Sequence, residues 1–139
     1  MSQFVLDASV VLTWCFPDEN AELAQYVADM FQRDNTALAP SFWPHEVLNG
    51  LLAGERCKRI SRELVRRFLD DLALLPVELK PFSARAVFDR IQSLSRKYGL
   101  TAYDAAYLDL ALESGLAVAS SDEDLVAACR KAGAKLLHP

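Results

Sequence analysis

The sequence lacks the features of a membrane protein or of a disulfide-stabilised secreted protein. Its stretches free of Asp, Glu, Lys and Arg reach only about half of the roughly twenty apolar residues that a membrane-spanning helix needs. No basic leader precedes an apolar run at the N-terminus, so we expect no signal peptide. Cys15, Cys57 and Cys129 are odd in number and form no C-x-x-C motif. We therefore expect neither disulfides nor a zinc site, and a cytoplasmic location.

Repeats and low-complexity segments are also absent, and the composition is that of a globular domain. Hydrophobic residues make up 52% and charged residues 24% of the chain, which excludes a disordered protein. A length of 139 residues suits one domain that buries roughly two-thirds of its surface. We predict a single domain over residues 1–139.

Charge is unevenly distributed along the chain. Fifteen basic and 19 acidic residues give a net charge of −4, which argues against nucleic-acid binding through bulk charge. Residues 55–67 nevertheless hold six basic side chains against two acidic ones: Arg56, Lys58, Arg59, Arg62, Arg66 and Arg67. This basic run is typical of a solvated helix face, of a surface that contacts RNA phosphates, or of a surface that meets a partner protein.

Short apolar runs alternate with segments of helical periodicity. The runs predict strands at residues 4–6, 36–39, 76–80, 116–119 and 135–137. The periodic segments predict helices at residues 8–16, 19–33, 41–57, 62–74, 83–98, 101–114 and 122–132. Pro17 is expected to stop the first helix, Asp18 and Ser61 to cap the starts of two others, and Gly99 and Gly115 to end two more. The alternation predicts an α/β fold, an α/β/α sandwich with a mainly parallel sheet of about five short strands.

Four acidic residues fall where ligands collect in such a sheet, outside the carboxyl ends of the strands. Asp7 and Asp122 follow predicted strands, whereas Glu46 and Asp104 lie in the first turns of predicted helices. Two like charges about 4 Å apart repel by on the order of 4 kcal/mol at an effective dielectric of 20, so such a cluster is rarely kept without a cation. Carboxylate oxygens and water are the ligands that Mg²⁺ and Mn²⁺ prefer.

These acids also have structural explanations. Asp104 comes three residues after Thr101, which is the spacing of a helix capping box. A second such box at residues 121–124 leaves Asp122 in a first helical turn, where the helix dipole favours any acid. Asp7 is harder to explain by packing, because it directly follows a buried strand. The prediction of a metal site therefore depends on the set of acids and its spacing.

Four short motifs contain the acids in order along the chain. V-L-D-A-S-V-V carries Asp7 and the hydroxyl of Ser9, and P-S-F-W-P-H-E-V-L-N-G-L carries Glu46. L-T-A-Y-D-A-A-Y-L-D-L-A carries Asp104, and A-S-S-D-E-D-L, followed by A-G-A-K-L-L, carries Asp122. Over essentially the whole chain, these motifs resemble those of PIN-domain ribonucleases, specifically the VapC-type toxins of toxin–antitoxin pairs.

The resemblance implies an activity, a metal and partners. It implies a Mg²⁺-dependent endoribonuclease, with Mn²⁺ as an alternative metal, that hydrolyses RNA with a metal-activated water and leaves a 5′-phosphate and a 3′-hydroxyl. It implies that Asp7, Asp104 and Glu46 hold the metal directly or through water. Asp122 would complete the acidic pocket, and Ser9 would support a ligand or a water. A cognate VapB-type antitoxin covering the cleft and a homodimer are implied as well.

Several neighbouring residues are weighed and left outside this set. Asp122 is preferred to Asp124 because it lies closer to the strand end, and Asp109 lies about 140° around the helix from Asp104. His45 is taken as structural. Ser120 keeps the hydroxyl that many relatives supply with Thr. Aromatic residues beside the motifs either stack on bases or belong to the core or an interface: Trp14, Phe16, Phe42 and Trp43.

Other functions fit the sequence less well. A PIN-like nuclease without an antitoxin keeps the same site, and a catalytically idle PIN-like binding module would not need four intact acids. A phospho-acceptor receiver domain needs an acceptor Asp after a middle strand, where this chain has E-L-K-P-F. A haloacid-dehalogenase-like phosphatase needs Asp-x-Asp after the first strand, where this chain has D-A-S. Excess apolar positions over residues 8–33 and 41–74 predict exposed faces for a dimer and an antitoxin.

Overall fold

A computed structural model describes residues 2–16 and 21–139, in which short strands alternate with helices. The strands are β1 (Gln3–Leu6), β2 (Thr36–Pro40), β3 (Val77–Lys80) and β4 (Val118–Ala119). The helices are α1 (Ala8–Cys15), α2 (Ala21–Gln32), α3 (Trp43–Arg56), α4 (Arg62–Leu72), α5 (Ala84–Ala86), α6 (Gln92–Tyr98), α7 (Ala102–Ser114) and α8 (Glu123–Ala132), with a π-helical turn (Val87–Ile91) between α5 and α6.

The four strands form one parallel sheet in the order β3-β2-β1-β4. β1 pairs with β2 on one side, where Phe4 lies opposite Ala37, and with β4 on the other, where Leu6 lies opposite Ala119. The chain thus moves outward from β1 to β3 and then returns to the opposite side of β1. Open α/β sheets place their ligand sites at such a reversal, outside the carboxyl ends of the strands. The reversal lies between β1 and β4.

The core surrounds the sheet and helix α7. Residues 4–6 of β1 are almost completely buried, as expected for a central parallel strand. In α7, residues 105–111 are all buried, so the middle of this helix is enclosed by protein on every side, whereas Tyr103 and Leu112 near its two ends are exposed. Within residues 2–16 and 21–139, no helix has both the length and the apolar character needed to cross a membrane.

The predicted α/β class and the parallel sheet are confirmed, and the sheet has four strands where about five were predicted. Residues 135–137 make only a single bridge, between Leu136 and Val118, because β4 is just two residues long and offers no further ladder. β2 extends to Pro40, one residue beyond the predicted end of the strand at residue 39. The predicted helix stop at Pro17, the cap at Asp18 and the helix start at residue 19 lie outside the described residues.

The predicted cap at Ser61 and the predicted helix ends at Gly99 and Gly115 are confirmed by their backbone geometry. The Ser61 hydroxyl accepts a hydrogen bond from the Leu64 N–H at 3.2 Å, which caps α4. Gly99 and Gly115 end α6 and α7 with φ values of 65° and 73°, a left-handed conformation that glycine adopts without a steric penalty. The chain can therefore turn sharply between α6 and α7, which brings the start of α7 to the carboxyl edge of the sheet.

Helices α1 and α3 pack closely because two glycines of α3 face large side chains of the α1 segment. A Cβ atom added at Gly50 would lie 2.5 Å from Leu12 Cδ1, and one added at Gly54 would overlap the Phe16 ring. Phe16 is also held from outside, since the Arg59 guanidinium lies 4.8 Å from its ring centroid. The missing side chains at these glycines therefore set the separation of the two helices.

Replacement of Gly54 by alanine tests this packing. Alanine at an unconstrained helix position stabilises by about 1 kcal/mol relative to glycine, but we expect Gly54→Ala to lower the free energy of unfolding by about 1–3 kcal/mol through overpacking. Urea denaturation measures the difference. The double variant Gly54→Ala/Phe16→Leu should recover part of the loss, and a single variant more stable than the wild type would contradict the close approach.

Candidate active site

The pairing of β1 with β4 brings Asp7 next to Ser120. The Asp7 N–H donates to the carbonyl oxygen of Ala119 at 3.0 Å, which extends the ladder one residue beyond the strands. The Ser120 hydroxyl then donates to Asp7 Oδ2 at 2.7 Å, and the Ser9 hydroxyl donates to the same oxygen at 2.8 Å. Asp7 is only 5% exposed. Its carboxyl group is thus held in one orientation in a nearly buried position.

The same two serines connect the loop after β4 to the end of β1. Ser9 Oγ accepts a hydrogen bond from the Ser121 N–H at 2.9 Å, and Ser120 Oγ accepts one from the Asp122 N–H at 3.0 Å. Asp122 Oδ1 accepts from the Leu125 N–H at 3.0 Å, so Asp122 is itself the N-cap of α8. The predicted capping box that began one residue earlier is therefore wrong, and the cap positions the acid beside the strand end.

Glu46 lies in the first turn of α3 and is held by a residue of α7. The Tyr107 hydroxyl donates to Glu46 Oε1 at 2.6 Å. Tyr107 follows Asp104 by three residues, which places both on one side of α7. Tyr107 is not among the site residues predicted from the sequence, although its position three residues after a candidate acid was a usable signal. Tyr107 positions Glu46 and brings α3 and α7 together at the site.

Asp104 belongs both to a helix cap, through its backbone, and to the group of acids, through its side chain. Its backbone N–H donates to the Thr101 hydroxyl at 3.1 Å, which is the cap that the T-x-x-D spacing predicts. Among the side-chain hydrogen bonds of residues 2–16 and 21–139, none uses the Asp104 carboxylate. The cap therefore occupies only the backbone of this residue, and its side chain is available to the acidic pocket.

The electrostatics of the site couple the four acids. Burial and the charges of Asp122, Asp7 and Glu46 raise the pKa of Asp104 from 3.8 to about 7. Burial likewise raises the pKa of Glu46, aided by Asp7 and Asp122 and opposed by the hydrogen bond from Tyr107. Burial raises the pKa of Asp7 as well, against the hydrogen bonds from the two serines. The carboxylates of the pocket therefore repel one another at neutral pH.

This donor set fits a hydrated divalent cation. In the described parts of the chain, no three His, Cys, Asp or Glu side chains already form a group that could hold a metal ion. Mg²⁺ usually keeps several waters and binds through one or two carboxylates, so it does not require a preformed protein cage. Carboxylates that share a repulsive field, with one of them almost buried, suit such an ion bound partly through water.

Asp109, Asp124 and His45, which were left out of the predicted site, have different surroundings from the four acids. Asp109 is buried and receives two hydrogen bonds from Arg90, from Nε to Oδ1 and from Nη2 to Oδ2, both at 3.1 Å. This pair lies on the other side of α7, as the helical spacing from Asp104 predicted. Asp124 is exposed on α8 and makes the smallest contribution among the charges that raise the pKa of Asp104. His45 is exposed.

An open groove of about 580 Å³ adjoins Glu46. Its walls are formed by Phe42, His45, Glu46, Asn49 and Tyr103. Of the four aromatic residues selected from the sequence, only Phe42 lines this groove. Trp14 donates from Nε1 to the Ala24 carbonyl at 2.8 Å, Phe16 packs at Gly54, and Trp43 is buried. These three contribute to packing.

The basic run is exposed at the opposite end of α3 from the acids. Arg56 lies ten residues after Glu46, about 15 Å along the helix axis. Arg66 pairs with Asp70 at 3.2 Å across one turn of α4, and Arg59 covers Phe16. The run therefore forms a separate surface rather than part of the acidic pocket.

Comparisons with known proteins agree with this architecture. The chain is 28% identical over 123 residues to Ribonuclease VapC3 of Pyrobaculum aerophilum, covering 88% of this chain and 92% of that protein. The fold is similar to the crystal structure of PAE2754 from Pyrobaculum aerophilum, with a TM-score of 0.67 and 22% identity, covering 91% of this chain and 84% of that one. It is also similar to the crystal structure of FitAcB from Neisseria gonorrhoeae, with a TM-score of 0.62 and 18% identity, covering 100% of this chain and 98% of that one. The family model of the PIN domain matches residues 4–131, and this chain therefore belongs to the PIN domain family.

Proposed function

We propose that this protein is a metal-dependent endoribonuclease and the toxin of a type II toxin–antitoxin pair. The observation that carries the proposal is the cluster of four carboxyl groups at the carboxyl edge of the sheet, where burial and the shared field of negative charge raise the pKa of Asp104 to about 7. Such a field is costly without a cation, and perturbed carboxyl groups of this kind cluster at functional sites. The similarity to Ribonuclease VapC3 supports RNA as the substrate.

In this proposal each residue has a distinct role. Asp7, Asp104 and Glu46 hold Mg²⁺ or Mn²⁺ directly or through water, and Asp122 completes the acidic pocket. A bound divalent ion supplies an activated water and neutralises the charge that develops on the phosphodiester. Ser9 fixes the orientation of the Asp7 carboxylate, with Ser120 acting on the same oxygen at 2.7 Å. Tyr107 holds Glu46 in place, so these positioning residues keep the ligands arranged before the ion binds.

The partners follow from charge and exposed apolar surface. Four neutralised acids leave 15 basic against 15 acidic residues, which removes much of the repulsion towards a polyanion. The basic run supplies phosphate contacts that position RNA without reading bases. A VapB-type antitoxin and a second copy of the chain are proposed to cover exposed apolar residues of α3, of α4 and of the turn after α4: Leu48, Leu64 and Leu74, of which the last is 84% exposed.

The stability of the metal-free protein should report the repulsion. Because the pKa of Asp104 is raised on folding, its carboxyl group contributes fully to the free energy of unfolding below pH 3.8. This contribution is lost as the pH rises through about 7. Asp104→Asn should therefore stabilise the metal-free protein at pH 8 by on the order of 1–2 kcal/mol after allowance for solvent screening, with the gain shrinking towards pH 4. Urea denaturation in EDTA measures this gain, and Mg²⁺ should stabilise the wild type more than the variant. A variant no more stable than the wild type at pH 8 would argue against the cost of burying Asp104 beside the other acids.

Activity should depend on the acids and on the metal. Protein purified without antitoxin is incubated with a structured RNA pool in Mg²⁺, Mn²⁺ or EDTA. We expect metal-dependent cleavage that falls more than about 100-fold in Asp7→Asn and Asp104→Asn. Asp122→Asn should lose activity while keeping the α8 cap, because asparagine caps as well as aspartate. Asp124→Asn is the matched control and should stay active. Cleavage that persists in EDTA would contradict the proposal of a metal-dependent nuclease.

The basic run is tested by the salt dependence of RNA binding. Removing two phosphate contacts with Arg62→Ala/Arg67→Ala should weaken binding of all sequences alike and reduce the slope of log K against log salt by about 1–2. The control Arg33→Ala/Arg85→Ala removes two exposed cations elsewhere on the chain. An unchanged slope together with lost antitoxin binding would assign the run to a protein partner instead.

A further inference from the structure

The groove beside Glu46 contains an exposed aromatic side chain that folding does not explain. Tyr103 is 59% exposed although it lies in the first turn of α7, directly before Asp104. Its ring contacts Phe42 edge to face, with centroids 5.1 Å apart and planes at 79°. Tyrosine is not a favoured residue at an exposed helix position. A smaller polar residue would serve the helix equally well, so the ring points to a ligand.

Phe42 is the fixed base of this aromatic pair. It also contacts Tyr107 edge to face, with centroids 5.8 Å apart and planes at 86°. Tyr107 is itself buried and hydrogen-bonded to Glu46. The chain of contacts therefore runs from the buried acid site outward to Tyr103. A group that stacks on Tyr103 would be held in a defined position relative to Glu46 and Asp104.

The remaining walls of the groove are polar and available. Asn49 lies one turn after Glu46 on α3, and His45 directly precedes Glu46. In the described part of the chain, neither side chain takes part in a hydrogen bond, and both are exposed. An amide presents both donors and an acceptor, which suits the edge of a nucleobase. An aromatic platform with such groups beside it is how unpaired bases are recognised in RNA.

The charge of the site gives a reason for uncharged contacts to RNA. The groove adjoins Glu46, which together with the other acids of the pocket repels phosphate when no cation is bound, and the basic run lies at the other end of α3. Base stacking needs no positive charge and tolerates any sequence, because every base has a π-face. We propose that Tyr103, supported by Phe42, stacks an unpaired nucleobase next to the cleaved phosphodiester, with Asn49 contacting the base edge. This inference rests on the proposed RNA substrate.

Binding in EDTA tests the inference separately from cleavage. Fluorescence anisotropy measures the Kd of a labelled single-stranded RNA and of its duplex for the wild type and for variants. Loss of one stacked base should raise the Kd for the single strand roughly 5- to 100-fold in Tyr103→Ala. Tyr103→Phe should stay within about twofold of the wild type, since phenylalanine also stacks. The duplex should bind more weakly and respond little to Tyr103→Ala. A 2-aminopurine base in the single strand should be quenched by the wild type and not by Tyr103→Ala.

Controls separate stacking from folding and from the nuclease proposal. Phe88 is 68% exposed outside the groove, so Phe88→Ala removes an aromatic of similar exposure and should leave the Kd unchanged. Equal urea midpoints for Tyr103→Ala and the wild type exclude unfolding as the cause. The inference would be overturned if Tyr103→Ala bound single-stranded RNA as tightly as the wild type. It would also be overturned if this substitution weakened only the binding of an antitoxin. Absence of cleavage in Mg²⁺ beside Tyr103-dependent binding would instead count against the nuclease proposal only.

Discussion

The parallel pairing of β1 with β4 is the constraint on which the rest of the site depends. It extends one residue past each strand, where the Asp7 N–H reaches the Ala119 carbonyl, and so places Asp7 beside Ser120. A shift of register by one residue would turn these side chains to opposite faces of the sheet. Ser9 and Ser120 then convert this backbone register into a fixed carboxylate, since both hydroxyls donate to Asp7 Oδ2.

Burying acids at this edge opposes the stability of the fold. Desolvation raises the pKa of Asp7 and Glu46, and their charges add to the field at Asp104. The surrounding structure tolerates this because neighbouring groups anchor the acids: backbone caps, two serines and a buried tyrosine. Functional sites commonly keep such unfavourable arrangements, which the rest of the core must offset.

Helix α7 connects the site to the core. It is buried around most of its circumference, so its position is fixed by packing on several sides. One side carries Asp104 and Tyr107 into the acidic pocket, while Asp109 on another side pairs with Arg90 of the π-helical turn. Two charged residues five positions apart on one helix therefore serve different purposes. The charge of Asp109 is satisfied by its partner, whereas that of Asp104 is left to the pocket.

Much of the fold and the choice of acids was determined by the sequence alone. Alternating short apolar runs and helical periodicity predict the parallel sheet, and Ser61, Gly99 and Gly115 define helix ends through local backbone chemistry. The motifs around Asp7, Glu46, Asp104 and Asp122 identify the candidate site. What the tertiary structure decided depends on partners distant in sequence. In the sequence, Tyr107 resembles an aromatic residue of the core. In the folded protein its hydroxyl group donates a hydrogen bond to Glu46, 61 residues earlier in the chain. The separation of α1 and α3, the exposure of Tyr103 and the limit of four strands likewise follow from packing, which no local pattern encodes.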